Sequence, residues 1–332
     1  MNSFEVSTFL NQLYEDCMKE AKAPLDHITD WGNYRSEQLQ KIRAYLQLAR
    51  LREHYEHTPA YLKLSSFRQE DVEISMYQID AISALPFPVY VLQHTNVQKE
   101  RAVMILQGHD PRGAKGAFEP FSQKSLGMEL AKRGYRVFVP ELIGLGDAKM
   151  HHEDGDIGPC ESCGEIEPRL LNCGLNLLGV RVWEAIKTID FAMRQTGIRR
   201  ITAYGMSGGG HVCNYVGVLD DRIDQVIISG YVNLYKYSTH DRTHCICNYV
   251  PGQLSAGESY AVTSLMAPEK KLFLMSGLQD TTFPAKGSRE AFAYVEQVYG
   301  ALQAKERFST LLFEGGHEIR IDPVCQFLEE NA

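Results

Sequence analysis

The feature that most constrains this chain is a series of short apolar runs, each leading into a turn or a helical pattern. They are AVMILQG (102–108), YRVFVPE (135–141), ITAYGMS (201–207), QVIISGY (225–231), KLFLMSG (271–277) and FSTLLFEGG (308–316). Short apolar strands alternating with stretches of helical period predict βαβ units and a parallel sheet covered on both faces. Upstream, Val72, Ile74, Met76 and Gln78 alternate with polar neighbours, and PVYVLQ (88–93) follows the turn-forming Pro86. That pair predicts an antiparallel hairpin. The expected fold class is therefore α/β, a doubly wound, mainly parallel sheet with functional groups at the carboxyl ends of its strands.

The N-terminal segment reads differently. Val6, Phe9, Leu10, Leu13, Cys17 and Met18 recur at helical spacing before Pro24, and Leu39, Ile42, Leu46 and Ala49 share a second helical face before Pro59. These helices precede most strand signals, so residues 1–65 are expected to form a helical extension and residues 70–332 the main α/β domain. The apolar stripes of the extension need a surface to cover, either the rim of a site, as a lid, or a second copy of the chain as a homo-oligomer contact.

Composition narrows the function classes. With 44% hydrophobic and 23% charged residues, the 332-residue chain matches a soluble globular protein and excludes disordered, collagenous and coiled-coil classes. Lys plus Arg is 34 against 42 Asp plus Glu, a net charge of -8, so no phosphate-attracting field and no nucleic-acid partner are expected. No apolar stretch reaches the ~18 to 20 residues that span a bilayer, so no membrane partner is expected either. The N-terminus carries charges where a signal peptide needs an apolar run, which predicts a cytoplasmic location and free thiols for the eight cysteines.

The chemistry concentrates at strand ends. Gly205-Met206-Ser207-Gly208-Gly209 is a G-x-S-x-G that closes one predicted strand and opens the apolar stretch HVCNYVGVL. A sharp strand-to-helix turn needs small residues around the serine, and it presents the Ser207 hydroxyl above the sheet. The N–H of Gly208 then lies at a helix N-terminus, where it can donate to a developing oxyanion. No Lys follows as in a P-loop and no G-x-G-x-x-G register fits, so a nucleotide-binding loop is disfavoured. A serine nucleophile needs a base, and the base an orienting carboxylate. Asp280 follows KLFLMSG, and His317 follows FSTLLFEGG, in the order Ser, Asp, His. The second oxyanion donor is expected in Gln107-Gly108-His109-Asp110 after the strand AVMILQG, as the backbone N–H of His109 or of Asp110.

GMSGGG, GLQDTTFP and GGHE together resemble the elbow, acid loop and histidine loop of the α/β-hydrolase superfamily, from about residue 70 to the C-terminus. PELIGLGDA, GVRVWEAIKTIDFAMR, DDRIDQVIISGYV and HCICNYVPG make the chain similar to the branch of dienelactone hydrolase-like and acetyl xylan esterase-like proteins. The resemblance implies a serine hydrolase that cleaves an ester, thioester or lactone through an acyl-enzyme. Ser207 would attack the carbonyl, His317 would take and return the proton, and Asp280 would fix the imidazole tautomer. The same triad acting on a carbon–carbon or amide bond, or in acyl transfer, is the alternative; a non-catalytic hydrolase-like binding module is the third reading. The implied partner is a small molecule carrying an acyl group, with no cofactor. The chain departs from many relatives in having Gln107-Gly108-His109 where they carry His-Gly before a further Gly, and in its helical N-terminus.

Two long excursions, 144–179 and 232–268, carry most of the remaining cysteines and are expected to shape the pocket. Cys160-x-x-Cys163 with Cys173, and Cys245-x-Cys247 beside His244, could each be a zinc or redox site. Neither cluster holds a second well-spaced pair, so no metal is expected. His151-His152-Glu153-Asp154 reads as a solvated run, and Cys213 as a core residue.

Overall fold

The structure is a computed structural model that describes residues 6–96, 99–119, 125–150 and 161–332. Three helices open the chain: α1 (Val6–Glu20), α2 (Trp31–Tyr45) and α3 (Leu48–Tyr55). Strands β1 (Glu56–Gln69), β2 (Val72–Ile82), β3 (Phe87–His94) and β4 (Arg101–Leu106) follow, then α4 (Leu126–Lys132), β5 (Arg136–Pro140), α5 (Cys163–Asn172) and α6 (Leu177–Thr196). The second half runs β6 (Arg200–Met206), α7 (Gly208–Leu219), β7 (Ile223–Ser229), α8 (Ser259–Ser264), β8 (Lys271–Gly277), α9 (Ala285–Ala301), β9 (Phe308–Phe313) and α10 (Ile321–Glu330).

The strands form one nine-stranded sheet in the order β1-β2-β3-β5-β4-β6-β7-β8-β9. The pairs from β5 and β4 through to β9 are parallel, whereas β1, β2, β3 and β5 pair antiparallel, so the expected hairpin is β2–β3. Strand β4 is buried along its whole length because helices cover both faces. One apolar cluster joins the sheet to α2, α3, α6, α7 and α9, and the other joins it to α4 and α10. Helix α6 is delimited by its own sequence: the Asn176 side chain accepts the Gly179 N–H at 2.8 Å, and Gly197 ends the helix at φ 70°.

The helical extension expected over 1–65 ends at Tyr55, and the residues after it form β1. Pro59 does not stop a helix but sits in an edge strand, where a missing N–H is tolerated. Within the extension, α2 and α3 are integral to the core: Ile42 and Leu46 are fully buried, the Trp31 indole donates to the Ala267 carbonyl at 2.9 Å, and Arg35 donates to the Leu265 carbonyl at 2.8 Å. Helix α1 buries no residue, and its stripe of Val6, Phe9, Leu10 and Leu13 is exposed. It is held through a hydrogen bond from the Tyr14 hydroxyl to Glu258 and a ring contact between Tyr14 and His240. No helix among the described residues is long and apolar enough to cross a membrane.

Candidate active site

Strand β6 lies between β4 and β7, at the point where the order β5-β4-β6 reverses the direction of sheet growth. Crevices for ligands open at such points, outside the carboxyl ends of the strands. The loops after β4, β6, β8 and β9 all emerge on this edge.

Ser207 stands at the β6–α7 turn with φ 55° and ψ −125°, a conformation that costs a non-glycine residue energy and is characteristic of functional sites. The surrounding glycines permit it. A Cβ on Gly205 would lie 2.2 Å from the Gly209 carbonyl oxygen, and one on Gly209 would lie 1.9 Å from that of Leu106. The Ser207 N–H is held by the Ser229 carbonyl at 3.0 Å, which anchors the turn to β7. Gly208 is the first residue of α7, so its N–H has no intrahelical acceptor.

Asp280 and His317 meet as their strands predict. The Asp280 side chain is fully buried; its Oδ1 accepts the N–H groups of Thr282 and Phe283, both at 2.8 Å, and its Oδ2 faces His317 Nδ1 at 2.8 Å. This leaves His317 Nε2 buried and without a hydrogen-bond partner. Phe283 stacks on the imidazole with centroids 5.8 Å apart, and Gly230 passes beneath it where a Cβ would come within 3.1 Å of Cε1.

Of the two expected oxyanion donors in the β4 loop, Asp110 is committed elsewhere. Its N–H is bonded to the Gly108 carbonyl at 2.8 Å, and its carboxylate binds the Arg112 guanidinium. The His109 N–H has no backbone acceptor among the described residues. The loop packs directly on the elbow, because a Cβ on Gly108 would meet the Met206 carbonyl at 2.9 Å and one on Gly208 would meet the His109 ring at 3.0 Å.

Ser207, Gly208, His109, Asp110 and His317 line one cavity of about 770 Å³, closed on its flanks by Phe283, His244, Cys245 and Asn248. That volume suits a small-molecule ligand. No residue of α1, α2 or α3 lines it. Helices α1 and α2 border a second cavity of about 1020 Å³ through Cys17, Glu20 and Lys41, and His244 lines both. Burial lowers the pKa of His244, which favours its neutral form. His244 and Phe283 lie in the quoted segments HCICNYVPG and GLQDTTFP, but nothing in those segments marks either side chain as facing the catalytic cavity.

The cysteines behave differently from the sequence expectation. Cys160 and the run 151–154 lie outside the described residues. Cys163, Cys245 and Cys247, however, converge on His109, with their donor atoms all within 4.8 Å of one another. Each segment alone still lacks a complete ligand set, but the four donors are gathered from three separate segments of the chain. Cys213 is buried, as expected of a core residue.

No family model matches the chain. It is 28% identical over 196 residues to YtaP of Bacillus subtilis (strain 168), named as a hydrolase; the match spans 57% of this chain and 61% of that relative. Among solved structures, a Bacteroides fragilis protein named as an acetyl xylan esterase superposes with a TM-score of 0.69 at 14% identity, over 89% of this chain and 77% of that one. A methylesterase superposes with the same TM-score at 19% identity, over 90% of this chain and 63% of that one. The chain has the α/β-hydrolase fold of these esterases.

Proposed function

We propose that this chain is a serine hydrolase acting on an ester, thioester or lactone, with Ser207 as nucleophile, His317 as general base and Asp280 as its orienting carboxylate. The observation that carries the reading is the pairing of Asp280 with His317 Nδ1 at 2.8 Å, which leaves Nε2 unpartnered beside the cavity that Ser207 lines. A carboxylate on Nδ1 selects the tautomer whose Nε2 can accept a proton.

In this reading His317 Nε2 takes the Ser207 proton as Oγ attacks the carbonyl carbon. The Asp280 carboxylate steadies the resulting imidazolium, and the N–H groups of Gly208 and His109 donate to the oxyanion. His317 then returns the proton to the leaving oxygen or sulfur, and the same ring activates water to release the acyl group. The esterases that share the fold support ester hydrolysis. The test is a panel of short acyl esters, thioesters and lactones set beside amides and β-diketones. Turnover confined to the first group is expected; preferential cleavage of amides or β-diketones would replace the ester reading.

A further inference from the structure

We propose that His109, Cys163, Cys245 and Cys247 form a structural zinc site that fastens both long excursions of the chain to the loop carrying the His109 N–H. His109 Nε2 lies 3.6 Å from the Cys163 sulfur and 3.4 Å from that of Cys247, and the Cys245 and Cys247 sulfurs are 3.4 Å apart. Tetrahedral zinc with its usual bond lengths sets sulfur–sulfur edges of about 3.8 Å and sulfur–nitrogen edges of about 3.6 Å. These three edges lie within about 0.4 Å of that geometry, and all four donors lie within 4.8 Å of one another, close enough for small side-chain shifts to bring them onto one ion. The cysteines are unbridged.

Arg181 is an independent observation that points the same way. Its guanidinium is buried, donates to the Cys163 sulfur at 3.0 Å and to the Ile143 carbonyl at 3.0 Å, and makes no close ion pair with a carboxylate among the described residues, although the Glu184 and Glu167 carboxyls feel its charge. A buried cation without a counter-charge is costly. Three thiolates around a divalent ion carry one net negative charge, which would lie directly against the Arg181 guanidinium. Asn248 adds an N–H facing the Cys247 sulfur at 3.9 Å, the kind of outer contact that orients a metal ligand.

The donor set names the metal and its role. Three sulfurs and one imidazole favour zinc over magnesium or calcium, which take oxygen. Four protein ligands leave no open position, so the ion is structural and not a source of activated water. Its ligands come from the β4 loop, from the first residue of α5, and from the segment before α8. The ion thus ties the cavity wall to the elbow. Binding of zinc is independent of the hydrolase reading; only its effect on the oxyanion loop rests on that reading.

The test uses the full-length protein purified under reducing conditions without chelator. Elemental analysis should find about one zinc per chain in the wild type and in Ser207→Ala. Cys163→Ser and Cys247→Ser should each lose most of it, and Cys173→Ala, whose thiol is exposed and outside the cluster, should keep it. Protein produced in cobalt medium should show the intense visible bands and thiolate charge-transfer band of tetrahedral cobalt, a readout that needs no variant to fold. A wild-type chain free of metal, a disulfide among these cysteines, or a cobalt spectrum of octahedral type would each overturn the proposal. Loss of labelling by a serine-directed probe with zinc intact would instead count against the hydrolase reading alone.

Discussion

The proposed triad of Ser207, Asp280 and His317 could be put forward from the sequence because each lies in a short loop whose glycines mark the turn, at the end of its own strand. Nothing in those loops announced that Asp110 would spend its N–H on Gly108, or that His109 would turn its ring toward cysteines 54 and 138 residues away. Such contacts depend on how three loops fold over one sheet edge. At this scale Ser207→Ala should abolish turnover with the fold retained, since members of the proposed triad would act as a unit. Asp280→Asn should lower kcat by roughly 10⁴-fold, because the amide can hold the wrong tautomer. Near-normal kcat in D280N would move the orienting acid elsewhere. Glu184 offers a test of burial. Desolvation raises its carboxyl from its ordinary 4.5 to about 8, with Arg181 opposing and Glu141 reinforcing the shift. The folded chain thus holds a proton that the unfolded chain releases. The stabilisation is full below about pH 4.5 and is lost as pH rises toward 8. Glu184→Gln keeps an acceptor for the Ile143 N–H, 3.0 Å away, and removes this titration. Thermal melts from pH 5 to 8 should show a shallower decline for the variant; parallel curves would contradict the assignment.

Among the elements, the strands of the parallel half were readable because burial on both faces makes them continuous apolar runs. Strand β1 was not. It is mostly exposed on both faces, carries Pro59 and Lys63, and keeps Leu62, Leu64 and Phe67 in solvent, so neither periodicity nor composition marks it as a strand. Charged and proline residues are what an edge strand uses against unwanted pairing. The N-terminal helices looked alike in sequence yet differ physically. Helix α2 is fastened by buried side chains, so Ile42→Ala should cost about 2–5 kcal/mol in denaturant unfolding. Deletion of residues 1–20 removes α1, which has no buried residue, with its Tyr14 hydrogen bond to Glu258, and the protein should stay folded with its melting temperature nearly unchanged. If α1 covers a second copy of the chain, sedimentation should show a lower mass for the deletion; if it serves the site, selectivity between small and large acyl groups should broaden at unchanged mass. Unfolding of the deletion would contradict the division drawn between α1 and α2.

Across the whole molecule, one sheet supplies a rigid edge and the chain spends its long excursions above it. The parallel topology could be anticipated from the order of runs and helices, and the edge that carries the site followed from it. The walls of the cavity could not be: the excursion 232–268 supplies Thr243, His244, Cys245 and Asn248, has little internal period and takes its position from tertiary contacts, whereas no described residue of 144–179, also expected to shape the pocket, lines it. The proposed activity depends on a nucleophilic serine at the β6–α7 turn. The most direct measurement is labelling of the full chain with a fluorophosphonate probe, followed by peptide mapping. Stoichiometric modification confined to Ser207, absent in Ser207→Ala and strongly slowed in His317→Ala, is the predicted result; an unlabelled wild-type protein, or label on another residue, would contradict it.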